Sequence, residues 1–150
     1  MNLDQPIFNL KPLKNYFIYS FIAVFTIFLA SLAISTFLHM PDNSNSKGSL
    51  IFLGALMLVS FWRSQKSKKD LQVIRETQDW PTKLSLYEKR YKGRLNFHVL
   101  SVAVTAAFWI LGNKNVFLYL MIAEVGITLV YYPIKKMIAT ELNEPELEFI

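Results

Sequence analysis

One carboxylate, Glu124, stands near the middle of the apolar run LMIAEVGITLVYY, residues 120–132. An ionised glutamate at the centre of a bilayer-spanning helix costs on the order of 3 kcal/mol, whereas each Leu, Ile, Phe or Val returns about 0.3 to 0.6 kcal/mol. Nine such residues share the segment 116–133 with Glu124, so it still inserts. The carboxyl nonetheless calls for a partner or a proton. Helical spacing from Glu124 toward the C-terminus puts Thr128, Tyr131 and Lys135 near one face. In the apolar segment before it, Arg94, His98, Ser101, Thr105 and Gly112 recur at intervals of four, three, four and seven, which again traces one stripe. A short turn at 112–115 makes the two segments antiparallel neighbours. Folding about that turn sets Glu124 level with Ala103, between Ser101 and Thr105, and Tyr131 near His98 and Asn96.

Such a seam suits ion or proton transfer, because ionisable groups inside membranes face bundle interiors or wet cavities and mark conduction paths. The candidates are Glu124, Thr128, Tyr131, Thr105, Ser101, His98 and Arg94. The competing reading is interhelical hydrogen bonding, worth about 0.6 kcal/mol per contact. Taken singly, Ser101, Thr105 and Thr128 read as such contacts, and His98, close to the membrane interface, as a structural histidine. For Glu124 the two readings stand level.

Other chemistries are excluded or thin. The absence of cysteine removes disulfides, thiolate catalysis and zinc–thiolate sites. There is no P-loop, dinucleotide glycine pattern, GxSxG or HExxH. His39 and His98 lie far apart, with a single intramembrane carboxylate, a poor basis for a metal site. No metal and no cofactor are expected. Arg94 and His98 alone would support a lipid-modifying enzyme at the cytoplasmic interface, and two residues without a motif make a weak case, so the expected answer is no enzyme.

The elements that must position the seam are membrane spans. The chain is 53% hydrophobic and 15% aromatic, more apolar than a soluble domain, and its apolar residues are blocked into long runs. The expected fold class is all-α: a polytopic integral membrane protein of four transmembrane helices in one domain, 1–150. The spans fall at about 16–39, 49–63, 95–112 and 116–133. The first has no charge between residues 15 and 40, lacks a small-residue cleavage site at its end, and reads as a retained span. The apolar core of the second, residues 50–62, covers only about 20 Å and needs help from flanking serines or a thinned bilayer. Tyr16, Tyr19, Trp62, Trp109, Tyr131 and Tyr132 sit mostly near span ends, as an aromatic belt does.

Charge sets the threading. All 16 basic residues except Lys47 and Lys114 fall on one side of the four spans, which the positive-inside bias makes cytoplasmic. Both termini are then cytoplasmic in a plasma (inner) membrane, with PDNSNSKGS and GNKN outside. The same bias accounts for the net charge of +5, so nucleic acid is not an expected partner. Residues 64–94 form a basic cytoplasmic helical hairpin extending spans 2 and 3. Leu71 with Ile74, and Leu84, Tyr87, Tyr91 and Leu95, keep helical intervals, and Pro81 supplies the break. Its Lys66, Lys68, Lys69, Lys89, Arg90 and Lys92 are candidates for binding a protein partner or anionic lipid headgroups. The acidic tail, 139–150, is either solvated or paired with this hairpin.

Two functions follow. The leading one is a small oligomeric protein, in the lipid bilayer, providing an ion or proton pathway or pore centred on Glu124. The alternative is a non-conducting accessory, scaffold or regulatory subunit that binds a protein through its basic hairpin.

Overall fold

The computed structural model describes residues 7–38, 46–112, 115–145 and 147–150. Among these, the chain is helical except for two short strands. In order they are β1 (Ile7–Phe8), α1 (Lys11–Leu38), α2 (Ser46–Glu76), α3 (Trp80–Gly112), α4 (Asn115–Val130), α5 (Lys135–Leu142) and β2 (Glu148–Phe149). The segment PDNSN, expected outside, His39, and Asn113 and Lys114 of GNKN are not among the described residues. Two compact units form: one from Met1–Phe8, Ser44–Arg90 and Lys135–Ile150, the other from Asn9–Asn43 and Tyr91–Ile134.

The second unit packs α1, residues 91–112 of α3, and α4. Its buried positions follow a near-heptad spacing: Leu13, Phe17, Ser20, Val24 and Ser31 on α1; Leu95, His98, Val102, Thr105 and Trp109 on α3; Phe117, Met121 and Thr128 on α4. A 3.5-residue repeat keeps one narrow seam per helix facing its neighbours. α1 lies along α4, with the Phe17 ring edge-on to Tyr132 at 5.2 Å and the Ser31 hydroxyl 3.7 Å from the Met121 sulfur. Tyr16 ties α1 to α3 by donating to the Asn96 side-chain carbonyl. The interior is apolar with a few buried serine, threonine and histidine side chains among it, and the exterior is apolar as well: Ile22, Phe25, Leu29, Leu100, Leu111, Ile122 and Leu129 are exposed. Water penalises such an exterior and hydrocarbon does not.

Two helices, Lys11–Phe37 and Trp80–Leu111, are long and apolar enough to cross a membrane. A third is reached if Asn115–Val130 and Lys135–Leu142 count as one broken span. These elements are compatible with a membrane protein. α2, whose apolar half runs directly into the charged stretch beginning at Arg63, is not among those found over the described residues.

The first unit joins α2, residues 80–90 of α3, α5 and the strand pair. β1 and β2 run parallel, Ile7 opposite Glu148 and Phe8 opposite Phe149. The Ile150 N–H donates to the Phe8 carbonyl at 3.2 Å. Phe8 is buried edge-on against both Tyr87 and Phe149. Between α2 and α3, Asp79 acts as the N-cap: its carboxylate accepts from Thr82 N–H at 3.1 Å and its carbonyl from Lys83 N–H at 2.9 Å. Hydrogen bonds from the Thr82 hydroxyl and then the Thr82 amide hold the Asp79 carboxyl below its ordinary value of 3.8. Pro81 fits the first turn, where its missing N–H leaves no helical bond unmade.

The acidic tail is seated on its own chain. Glu144 pairs with Lys83 at 2.8 Å, and Glu141 accepts from the Tyr87 hydroxyl at 2.6 Å and from Arg90 at 3.4 Å. α5 closes in a Schellman motif: Glu144 N–H donates to the Ala139 carbonyl at 2.9 Å and Asn143 N–H to Thr140 at 3.3 Å. Asn143 takes the left-handed conformation that this motif needs, with φ 58°. Arg75 satisfies the last carbonyls, donating to Glu141 at 2.7 Å and Thr140 at 3.2 Å. Asn143→Gly should therefore be neutral or mildly stabilising, whereas Asn143→Val should cost about 1–2 kcal/mol, the left-handed penalty of a branched residue. Chemical unfolding in detergent measures both; a valine variant as stable as the parent would rule out the left-handed cap.

Candidate functional site

Ser101 and Thr105 lie one turn apart on the same face of α3, and both hydroxyls meet the Glu124 carboxyl of α4. Ser101 donates to Glu124 Oε1 at 2.7 Å and Thr105 to the same oxygen at 3.5 Å. Glu124 Oε2 is buried and has no hydrogen-bond partner among the described residues. The carboxyl is thus satisfied on one oxygen only.

One turn further along α4, the Thr128 hydroxyl donates back to the Glu124 carbonyl at 2.8 Å. His98 of α3 sits over this pair, its Nε2 at 2.9 Å from the Thr128 hydroxyl oxygen and 3.0 Å from the Glu124 carbonyl. With the threonine proton on the carbonyl, the Nε2–H tautomer satisfies both contacts. Tyr131 follows in the turn after α4, its ring edge-on to the imidazole at 5.3 Å. Arg94 closes that end: its guanidinium lies 4.8 Å from the Tyr131 ring and 5.5 Å from the Tyr91 ring. The Tyr91 hydroxyl donates to the Tyr131 carbonyl at 2.7 Å, fixing the end of α4 against α3.

All seven seam candidates therefore come together within one unit, in the register expected from the short turn. Tyr131 meets His98; Asn96, expected near the same level, bonds instead to Tyr16. The stacking of Arg94 between two tyrosine rings and the Tyr91 bond were not anticipated. Their signal was the unbroken interval of 87, 91, 95 and 98 along α3, which places Tyr91 on the stripe that carries His98. Chemically, the seam gathers hydroxyl, imidazole and carboxyl groups, each able to exchange a proton, with one carboxyl oxygen that has no donor among the described residues. Among the described residues, no cluster of three or more His, Cys, Asp or Glu side chains suited to holding a metal occurs.

The basic candidates divide. Lys66, Lys68, Lys69 and Lys89 are exposed. Arg90 is engaged, with Nη2 on the Ser67 hydroxyl at 2.9 Å and Nη1 toward Glu141. Lys92 lies over the Tyr16 ring at 5.6 Å. Sequence reasoning missed Lys83 and Glu141 as members of a buried polar cluster, since a charge count carries no information about which lysine becomes buried. The chain matches no family model, and no curated protein or solved structure is detectably similar to it.

Proposed function

We propose that this chain is a small polytopic membrane protein that provides a pathway for protons or another small ion, centred on Glu124, and that several copies assemble to form it. In this reading α1, the apolar half of α2, the later part of α3, and α4 cross a plasma (inner) membrane. Both termini lie in the cytoplasm, and α2 and α3 continue there as a hairpin closed at residues 77–79.

The observation that carries the reading is the half-satisfied carboxyl. A glutamate retained only as a helix–helix contact gains most by using both oxygens, because an unmet buried acceptor costs about 1–3 kcal/mol. Here both hydroxyl donors converge on Oε1, and Oε2 is left to take up and release a proton. The neighbouring Thr128 and His98 supply further exchangeable groups at hydrogen-bond distance from one another. The large apolar side chains on the exterior of the helices support the bilayer setting, and a three-helix unit is too slender to enclose a wide substrate cavity alone. Assembly supplies the missing wall.

The test is proton flux in liposomes reconstituted with the parent or Glu124→Gln, read with an entrapped pH dye under an imposed gradient. The parent should dissipate the gradient and the glutamine variant should fall to the protein-free background. Equal flux in both, or none in the parent, removes the proposal.

A further inference from the structure

The exposed side of α2 changes character abruptly at one residue. Up to Trp62 its exposed large side chains are apolar: Ile51, Leu58, Val59 and Phe61, with Trp62 itself 65% exposed. Beyond it Lys66, Lys68 and Lys69 are exposed, and the Lys66 ammonium lies 5.7 Å from the Trp62 ring. Arg90, by reaching Ser67, brings α3 beside α2 at this level, and its neighbour in sequence, Lys89, is exposed there as well. Two of the tail's glutamates, Glu144 and Glu141, are committed elsewhere, to Lys83 and Arg90.

We propose that Lys66, Lys68, Lys69 and Lys89 form a binding site for anionic phospholipid headgroups where α2 leaves the bilayer. A Trp ring between apolar and cationic surface is the profile of a helix at a membrane–water boundary. At 1.5 Å per residue, Lys66 lies about 6 Å and Lys69 about 10 Å past Trp62. The headgroup layer on each side is about 5–8 Å thick, and charge is felt over about 8 Å beyond it in physiological salt. The angular placement favours lipid over a protein partner. At about 100° per residue, Lys66 and Lys68 stand on opposite flanks of Ser67, the residue turned to Arg90. A shell of lipids reaches both flanks at once; one flat protein face does not. This inference rests on the membrane setting of the proposed function, and not on proton transfer.

The full chain and a variant carrying Lys66→Gln, Lys68→Gln, Lys69→Gln and Lys89→Gln are purified in neutral detergent. Each is titrated with phosphatidylglycerol and, separately, phosphatidylcholine, and retained lipid is read by native mass spectrometry. Because all four side chains are exposed, the variant keeps its fold, which circular dichroism verifies. Removing a lysine near an anionic surface weakens binding about fivefold, so phosphatidylglycerol affinity should drop by upwards of about a hundredfold, with phosphatidylcholine unchanged. Unchanged phosphatidylglycerol affinity overturns the proposal. So does displacement of the lipid by millimolar inorganic phosphate, which would mark a free-anion site. Loss of a co-purifying polypeptide with lipid affinity intact would assign the surface to a protein and equally overturn it. Lipid retention is independent of flux, so this result and that of the Glu124 experiment are read separately.

Discussion

Replacing Glu144 by glutamine lowers stability by about 2 kcal/mol, and replacing its partner Lys83 by methionine costs less. The order follows from burial. The Lys83 side chain is 6% exposed and that of Glu144 36%, with 2.8 Å between their charges. Loss of the carboxylate leaves a desolvated ammonium with a neutral amide oxygen in place of its counter-charge and the Trp80 ring at 4.9 Å. Stranding one member of a buried pair costs about 3–5 kcal/mol, and the partial exposure of Glu144 brings the figure down. Methionine instead fills the lysine stem's space, and water can solvate the half-open glutamate. The double variant Lys83→Met, Glu144→Gln should recover most of the loss. Denaturant titration in detergent measures all three; a methionine variant less stable than the glutamine variant contradicts the reading of Lys83 as a desolvated cation.

Ser101→Ala has the second large effect, about 1–2 kcal/mol, and that cost depends on Glu124. Ser101 is the close donor to the carboxyl, at 2.7 Å against 3.5 Å for Thr105. Without it Oε1 keeps the longer bond and Oε2 gains none. In a Glu124→Leu background the same serine has no carboxyl to serve, and its removal should be near neutral. The coupling between the two positions in a double-mutant cycle should then account for most of the single-variant cost. Equal costs in both backgrounds would mean that Ser101 acts independently of Glu124.

The seam was legible because two constraints agreed. A short connection at 112–115 fixes the register of α3 against α4, and the stripes on the two helices then admit one alignment, Glu124 between Ser101 and Thr105. The break between α2 and α3 was legible too, since Pro81 is a local signal that needs no tertiary information. The tail was not. Whether Glu141 and Glu144 are solvated or paired depends on where Ile138, Leu142 and Leu147 are buried, and three apolar residues in a charged stretch do not announce a docking site. Pairing of β1 with β2 was equally hidden, because two-residue strands from distant parts of the chain leave no periodicity. Four spans were expected, and the described helices support two or three. α2 is outside that number, and α4 enters it only when joined with α5 as one broken span.

The groups that meet Glu124 come from α3, the element synthesised just before α4. In the proposed membrane setting, that order bears on how α4 enters the bilayer. Handed to lipid alone, α4 would carry its carboxyl into hydrocarbon at a cost on the order of 3 kcal/mol. Handed over together with α3, it leaves the translocon with Ser101 and Thr105 already opposite the acid. On the proposed four-span reading the two helices insert as a single unit, and an α4 separated from its partner is marked by a lipid-facing carboxyl.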